Sequence, residues 1–132
     1  MPVTYNIDLA RKVIRTTCSR PLTLPEVLDH FRALKDDPAC SGHLDVLLNV
    51  TDADTVPASN QFREVNAELR AIRDKVQFGL CAVVAGRDAM FGMMRVFEVL
   101  AADYFAAIRV FREPADAETW LVSQPTAPDP VP

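Results

Sequence analysis

The amino-acid sequence predicts an α/β fold: one domain built on a mixed, mostly parallel sheet with flanking helices, in the order β-β-α-β-α-β-α-β-α. Three observations carry this. The segment from Val3 to Cys18 holds two short stretches of strand-like alternation. Downstream, short apolar runs alternate with stretches of helical periodicity, the pattern of parallel strands joined by right-handed crossovers. No repeat or linker divides the 132 residues, a length that closes one core without staples.

The elements follow in order. Val3, Tyr5 and Ile7 alternate within Val3–Asp8, and Lys12–Cys18 repeats the pattern with β-branched residues. Their short connection predicts an antiparallel hairpin at one sheet edge. Thr23-Leu24-Pro25-Glu26 reads as a helix start, with Thr23 as cap, Glu26 completing a capping box and Pro25 where no amide donor is missed. Leu24, Val27, Leu28, Phe31 and Leu34 keep helical spacing until Asp36-Asp37-Pro38 closes the helix. Asp45–Val50 has the apolar run of a strand buried on both faces, and Thr51–Thr55 is a polar loop.

A second helix is expected from Ser59 to Val76. It would bury Phe62, Val65, Leu69, Ile72 and Val76, with Arg70, Arg73 and Lys75 at its negative end. Phe78–Ala85 is another buried strand, and Gly86-Arg87-Asp88 turns the chain into a third helix from Ala89 to Asp103. Ala107–Arg112 is the last strand, and Pro114–Val122 a closing helix that docks Trp120 and Leu121. The domain thus spans 1–122. Residues 123–132, with Pro125, Pro128, Pro130 and Pro132, are expected to form a disordered tail.

Composition narrows the function. Fourteen basic against eighteen acidic residues leave a net charge of −4, which argues against a general nucleic-acid surface. The apolar stretch Ala89–Ile108 is interrupted by Arg95, Glu98 and Asp103, so no membrane span is expected. The first residues lack a basic segment followed by an apolar run, and three cysteines without close spacing fit a reducing compartment. The cytoplasm is the expected location.

Several stretches together resemble the SpoIIAA-like family of the STAS fold. They are Asp45-Val46-Leu47-Leu48-Asn49-Val50-Thr51-Asp52, Phe91-Gly92-Met93, Arg95-Val96-Phe97, Ile108-Arg109-Val110-Phe111-Arg112 and Ala117-Glu118-Thr119-Trp120-Leu121. The similarity covers residues 3 to 122, and the closing strand and helix are its most specific part. It implies that fold and a non-enzymatic role, since STAS domains commonly regulate by binding partners and related domains bind nucleotides or apolar molecules. In anti-sigma-factor antagonists of this fold a phosphorylated serine lies in an Asp-Ser-Ser-Gly turn. Here the corresponding stretch is Pro57-Ala58-Ser59-Asn60, and Ser59 reads as a helix N-cap.

Candidate chemistry is sparse. Cys40 and His43 form a Cys-x-x-His pair, but zinc needs further ligands, and His30, Cys18 and Cys81 are not at matching spacing. The pair reads as a small polar loop, and Cys81 as a core residue. Asp52 and Asp54 follow the carboxyl end of a strand, where open α/β sheets bind ligands. They read either as a polar ligand site or as a solvated turn. Arg87 at the start of the third helix is a candidate anion contact, with Asp88 an equally good cap. No carboxylate pair is placed for acid–base work, so no catalytic residue, metal or cofactor is assigned.

The third helix carries the strongest signal. At about 100° per residue, Met90, Met93, Met94, Phe97, Leu100, Ala101 and Tyr104 form a core face. Gly92, Val96 and Val99 lie on a flank well round from it, and are assigned as a partner surface. The chain is therefore expected to be a non-catalytic binding or regulatory module, self-associating as a homodimer through this helix. The alternative is a carrier or sensor of a small apolar or amphipathic ligand, in a pocket beside the helix with Arg87 or Arg95 on its polar head. A concentration-independent monomer with an enclosed apolar cavity would favour the carrier; a dimer with no cavity would favour the module.

Overall fold

The computed structural model describes residues 3–20, 22–53 and 59–123; Asp54 and residues 124–132 of the expected tail lie outside them, while Ser123 belongs to the closing helix instead. The strands are β1 (Val3–Asp8), β2 (Val13–Ser19), β3 (Gly42–Asp52), β4 (Val76–Val84) and β5 (Ala107–Phe111). The helices are α1 (Leu24–Asp36), α2 (Phe62–Ile72), α3 (Asp88–Leu100) and α4 (Pro114–Ser123). The strands form one sheet in sequence order. β1 runs antiparallel to β2, and β2 through β5 are parallel. The α/β class, the element order and the edge hairpin are therefore as the sequence predicts.

Strand order dictates where the helices go. Each crossover from β2 to β5 steps the same way across the sheet, so right-handed connections place α1, α2 and α3 on one face. Inward residues of that face, among them Ile14, Leu44, Val50, Cys81, Val83 and Val110, pack with the three helices into the main core. The opposite face is covered by α4, whose Ala117, Trp120 and Leu121 meet Leu47, Leu80, Ala82, Val84 and Phe111.

A β-bulge adjusts β4 to β3. Leu44 pairs with Phe78 but Val46 with Cys81, so β4 carries one extra residue. The Leu80 amide donates to Asp45 Oδ1 at 2.8 Å. A Cβ on Gly79 would stand 2.3 Å from that oxygen and 2.6 Å from His43 Nε2, so glycine is required for a close approach rather than for a turn.

The element ends show which local signals won. Thr23 caps α1 by accepting from the Glu26 amide, and Asp37 ends it in an extended conformation, as expected. The second helix is shorter than its periodicity predicts. It stops at Ile72, and Val76 instead opens β4, paired with Gly42. An apolar residue four beyond Ile72 suits both a helix stripe and a strand, and sheet pairing captured it. Ser59 is not the cap of α2: it begins a 3-10 turn, Ser59–Gln61, and Gln61 occupies the cap position. Lys75 serves a different helix from the one predicted. Its ammonium donates to the carbonyls of Leu34 at 3.2 Å and Asp37 at 2.7 Å, and to that of Lys35, closing the C-terminus of α1.

The closing helix is fixed by both packing and charge. Ala117 is fully buried and Leu121 is buried, while Trp120 is half-buried with its ring 5.7 Å from that of Phe111. Arg15 on β2 donates both Nε and Nη2 to Glu118 at 3.2 Å, and Nη1 to Asp8 at 3.2 Å. One guanidinium thereby ties β1, β2 and α4 together. Leu121→Ala is expected to lower unfolding stability by roughly 2–3 kcal/mol, the ordinary cost of emptying a buried leucine site. Urea denaturation measures this, and an unchanged midpoint would show that α4 does not hold this face.

Candidate functional site

The site arises from incomplete cover over the middle of the sheet. The inward Cys81 and Val83 of β4, and Ala85 just after it, are at most 1% exposed. Val46 and Leu48 point the same way from β3, the central strand, yet are only half-buried. The helices leave a crevice above them, a cavity of about 490 Å³. Small-molecule sites commonly measure roughly 300–1,000 Å³.

Each wall comes from an apolar stripe visible in the sequence. The floor is Ile14, Thr16 and Cys18 of β2 with Val46, Leu48 and Val50 of β3. One wall is Val27, His30, Phe31 and Leu34 of α1, and the facing wall is Phe62, Val65 and Leu69 of α2. Met90, Met94 and Phe97 of α3 close the far side. The connection Leu22–Pro25 and Gln61 form a rim at the carboxyl ends of β2 and β3, the end at which open α/β sheets bind ligands.

The polar content of this lining is small. It consists of Thr16, Thr23, His30 and Gln61, and no Asp, Glu, Lys or Arg among the described residues contributes. Thr16 is 2% exposed and its hydroxyl lies 3.3 Å from His30 Nε2. His30 Nδ1 is buried with no partner in the structure. The imidazole is flanked by Tyr5 and Phe31, each with ring centroids 5.4 Å away. Burial pushes its pKa down to about 4, so the ring is neutral at neutral pH.

All three cysteines are free and buried. Burial pushes Cys18 up to about 11, Cys81 up to about 12 and Cys40 upward as well, which keeps the thiols protonated at neutral pH. Cys40 is core rather than part of a polar loop, whereas His43 is exposed and turns toward Asp45 at 3.9 Å. No group of three or more potential metal-ligating His, Cys, Asp or Glu side chains occurs among the described residues.

Of the four residues expected to hold a polar ligand, Asp54 lies outside the described residues, and the other three are not gathered at the cavity. Asp52 ends β3 in an exposed position. Arg87 is the cap residue of α3 and its guanidinium donates to the Ala53 carbonyl, tying the end of β3 to the start of that helix. Asp88 lies in the first turn of α3 rather than at the cap, and pairs with Arg112 at 2.6 Å. Arg95 pairs with Glu98 at 3.1 Å on the exposed side of α3. None of Asp52, Arg87 and Arg95 lines the cavity.

The core face of α3 is narrower than expected. Met90, Met94, Phe97 and Ala101 are buried, Met93 and Tyr104 are half-buried, and Leu100 is 45% exposed. Gly92 is exposed, and Val96 and Val99 are 38% and 75% exposed. Phe91 is half-buried beneath the Arg112 guanidinium, 4.3 Å from its ring centre. Asn66 of α2 donates to the Leu100 carbonyl at 2.9 Å, holding the end of α3.

Sequence reasoning missed Thr16 and His30 as a pair. The available signal was a polar residue at an inward position of each element: Thr16 between Ile14 and Cys18, and His30 between Val27 and Leu34. Comparison with family models, with curated proteins and with solved structures finds no match to this chain. No helix among the described residues is long and apolar enough to cross a membrane.

His30 makes stability depend on pH in a defined window. Its folded pKa of about 4 lies below the ordinary 6.5, so between those values the unfolded chain binds more protons. Stability is full above pH 6.5 and falls as pH drops toward 4. The slope approaches, at most, about 1.4 kcal/mol per pH unit. Urea titrations between pH 7 and 4.5 should show the decline, and His30→Gln should flatten it; equal slopes in the two proteins would remove His30 as its source.

Proposed function

We propose that the chain is a non-catalytic binding module that carries or senses a small apolar ligand between its sheet and helices α1, α2 and α3. The observation that carries this is the half-burial of Val46 and Leu48 on the central strand, above which a cavity of about 490 Å³ lies. A sheet centre covered by three helices ordinarily packs without voids of this size. The lining offers aliphatic, aromatic and thioether surface with few polar groups, the composition of sites for apolar molecules. The proposal includes a SpoIIAA-like, STAS-type domain, supported by the resemblance of the quoted segments and by the order of elements, and a cytoplasmic setting, supported by three free cysteines.

Titration with the neutral fluorophore N-phenyl-1-naphthylamine tests the reading. Saturable fluorescence enhancement is expected at one probe per chain. Leu48→Trp fills the crevice from its floor and should abolish the enhancement while leaving the thermal midpoint unchanged or raised. No enhancement in the unmodified chain, or full enhancement in a folded Leu48→Trp variant, would sink the apolar site.

A second reading, self-association through α3, is favoured by the exposure of Val96, Val99 and Leu100 at 38%, 75% and 45%. In an isologous contact each residue is used twice, so Val96→Glu would set two like carboxylates near the axis, and the pair would dissociate. Sedimentation velocity over a wide concentration range, with circular dichroism to monitor the fold, reads this out. A chain that is monomeric throughout would remove the homodimer.

A further inference from the structure

We propose that the cavity selects an uncharged ligand bearing one hydrogen-bond acceptor, such as a ketone, ester or ether oxygen on a hydrocarbon body, and that Thr16 is the group that reads it. This rests on the apolar-site reading and adds its chemical selectivity.

The argument begins with the placement of the hydroxyl. Thr16 stands on β2 opposite Leu48 of β3 and Tyr5 of β1, and is buried in the cavity floor. A residue at that inward position gains most by being aliphatic, as its neighbours Ile14 and Cys18 on the same face illustrate. Val has the same shape as Thr without the hydroxyl, so sterics alone do not call for an oxygen here.

The hydrogen-bond inventory then sets the polarity of the site. Among the described residues the side-chain partner of Thr16 is His30 Nε2, at 3.3 Å. A neutral imidazole carries one N–H, on either nitrogen. Placing it on Nδ1 would leave a buried donor with no partner, because Nδ1 has none in the structure. Orphaned buried N–H donors are rarer than under-used acceptors. The N–H therefore sits on Nε2 and donates to Thr16 Oγ1. The Thr16 O–H is then left as a donor, and its complement is an acceptor on the ligand.

Charge selection follows from what the lining omits. An ionised carboxylate would enter a cavity to which no Lys or Arg among the described residues contributes. It would lose hydration without gaining a counter-charge, a large penalty in an apolar site. Arg87 and Arg95, the cations at the cap and within the helix that borders the cavity, are engaged with Ala53 and Glu98. The acid form of a ligand is therefore discriminated against, and its neutral ketone or ester is accepted.

Displacement of N-phenyl-1-naphthylamine at pH 7.5 by decane, 2-decanone and sodium decanoate tests this. In the unmodified chain 2-decanone should displace the probe about fivefold more effectively than decane, the worth of one net hydrogen bond, and decanoate should be weaker than both. Thr16→Val should abolish the advantage of the ketone over the alkane, and Thr16→Ser should retain it. Decanoate displacing as well as 2-decanone, or an unchanged ketone-to-alkane ratio in a folded Thr16→Val, would overturn the selectivity while leaving the apolar site standing. If Thr16→Val does not fold, loss of the ketone advantage in Thr16→Ser overturns it instead. Failure of the probe itself to bind would remove the apolar site and this inference together.

Discussion

The constraint on which the rest depends is that β2, β3, β4 and β5 follow one another in space as they do in sequence. Three right-handed crossovers stepping one way must all land on the same face. The other face is left to whatever follows β5, and α4 is only ten residues long. It lies across β4 and its neighbours, so β4 is buried on both sides and its Cys81 to Val84 segment is at most 1% exposed. Among the described residues, the edge toward β1 and β2 has no further helix on the α4 face. Its outward residues Thr4, Asn6, Asp8, Arg15 and Thr17 are polar, Val13 alone among these pairs packs into the α4 cluster, and Arg15 reaches from there to Glu118.

Charged side chains work mainly at the seams between elements. Lys75 closes the end of α1, Arg87 fixes Ala53 at the end of β3, and Arg112 joins the strand β5 to the first turn of α3 through Asp88. Each uses a cation to satisfy carbonyls or a carboxylate where a helix or strand stops, which is where unpaired backbone groups accumulate. Arginines that looked like ligand anchors by position are thus employed in holding the frame. This is why the chemistry-bearing residues of the polypeptide and the lining of its cavity are almost separate sets.

Most of the fold was legible because its signals are local. The capping box at Thr23 and the alternation of Val3, Tyr5 and Ile7 each specify their element without reference to the rest of the chain. The misreadings occurred where a local pattern was compatible with two outcomes. Val76 continues the helical stripe of α2 but pairs with Gly42; Leu100 keeps the spacing of the α3 core face but is 45% exposed. The site was legible only as an expectation of some apolar pocket near the third helix. A cavity is a property of how far apart packed elements sit, and identical stripes on α1 and α2 would be written for a closed core. Thr16 and His30 were the local trace of it, separated by fourteen positions in sequence and meeting at 3.3 Å only when α1 folds back over β2.

The size of the cavity bears on its meaning. At about 24 cal/mol per Å³, a sealed and empty void of 490 Å³ would cost about 12 kcal/mol, comparable with the whole stability of a typical domain at roughly 5–15 kcal/mol. A chain with three helices over five strands could not carry that as a permanent vacuum. The partial exposure of Val46 and Leu48 shows how it is avoided: the crevice is open to solvent rather than sealed. Water entering it meets few hydrogen-bonding partners, Thr16 and His30 chief among them, and leaves the aliphatic walls wetted. On the proposed reading, an apolar occupant would remove that wetted surface and raise the stability of the folded chain with the logarithm of its free concentration. Under the proposed function the crevice is thus an energetic deficit that a ligand of the right polarity would relieve, and the deficit itself would supply the affinity.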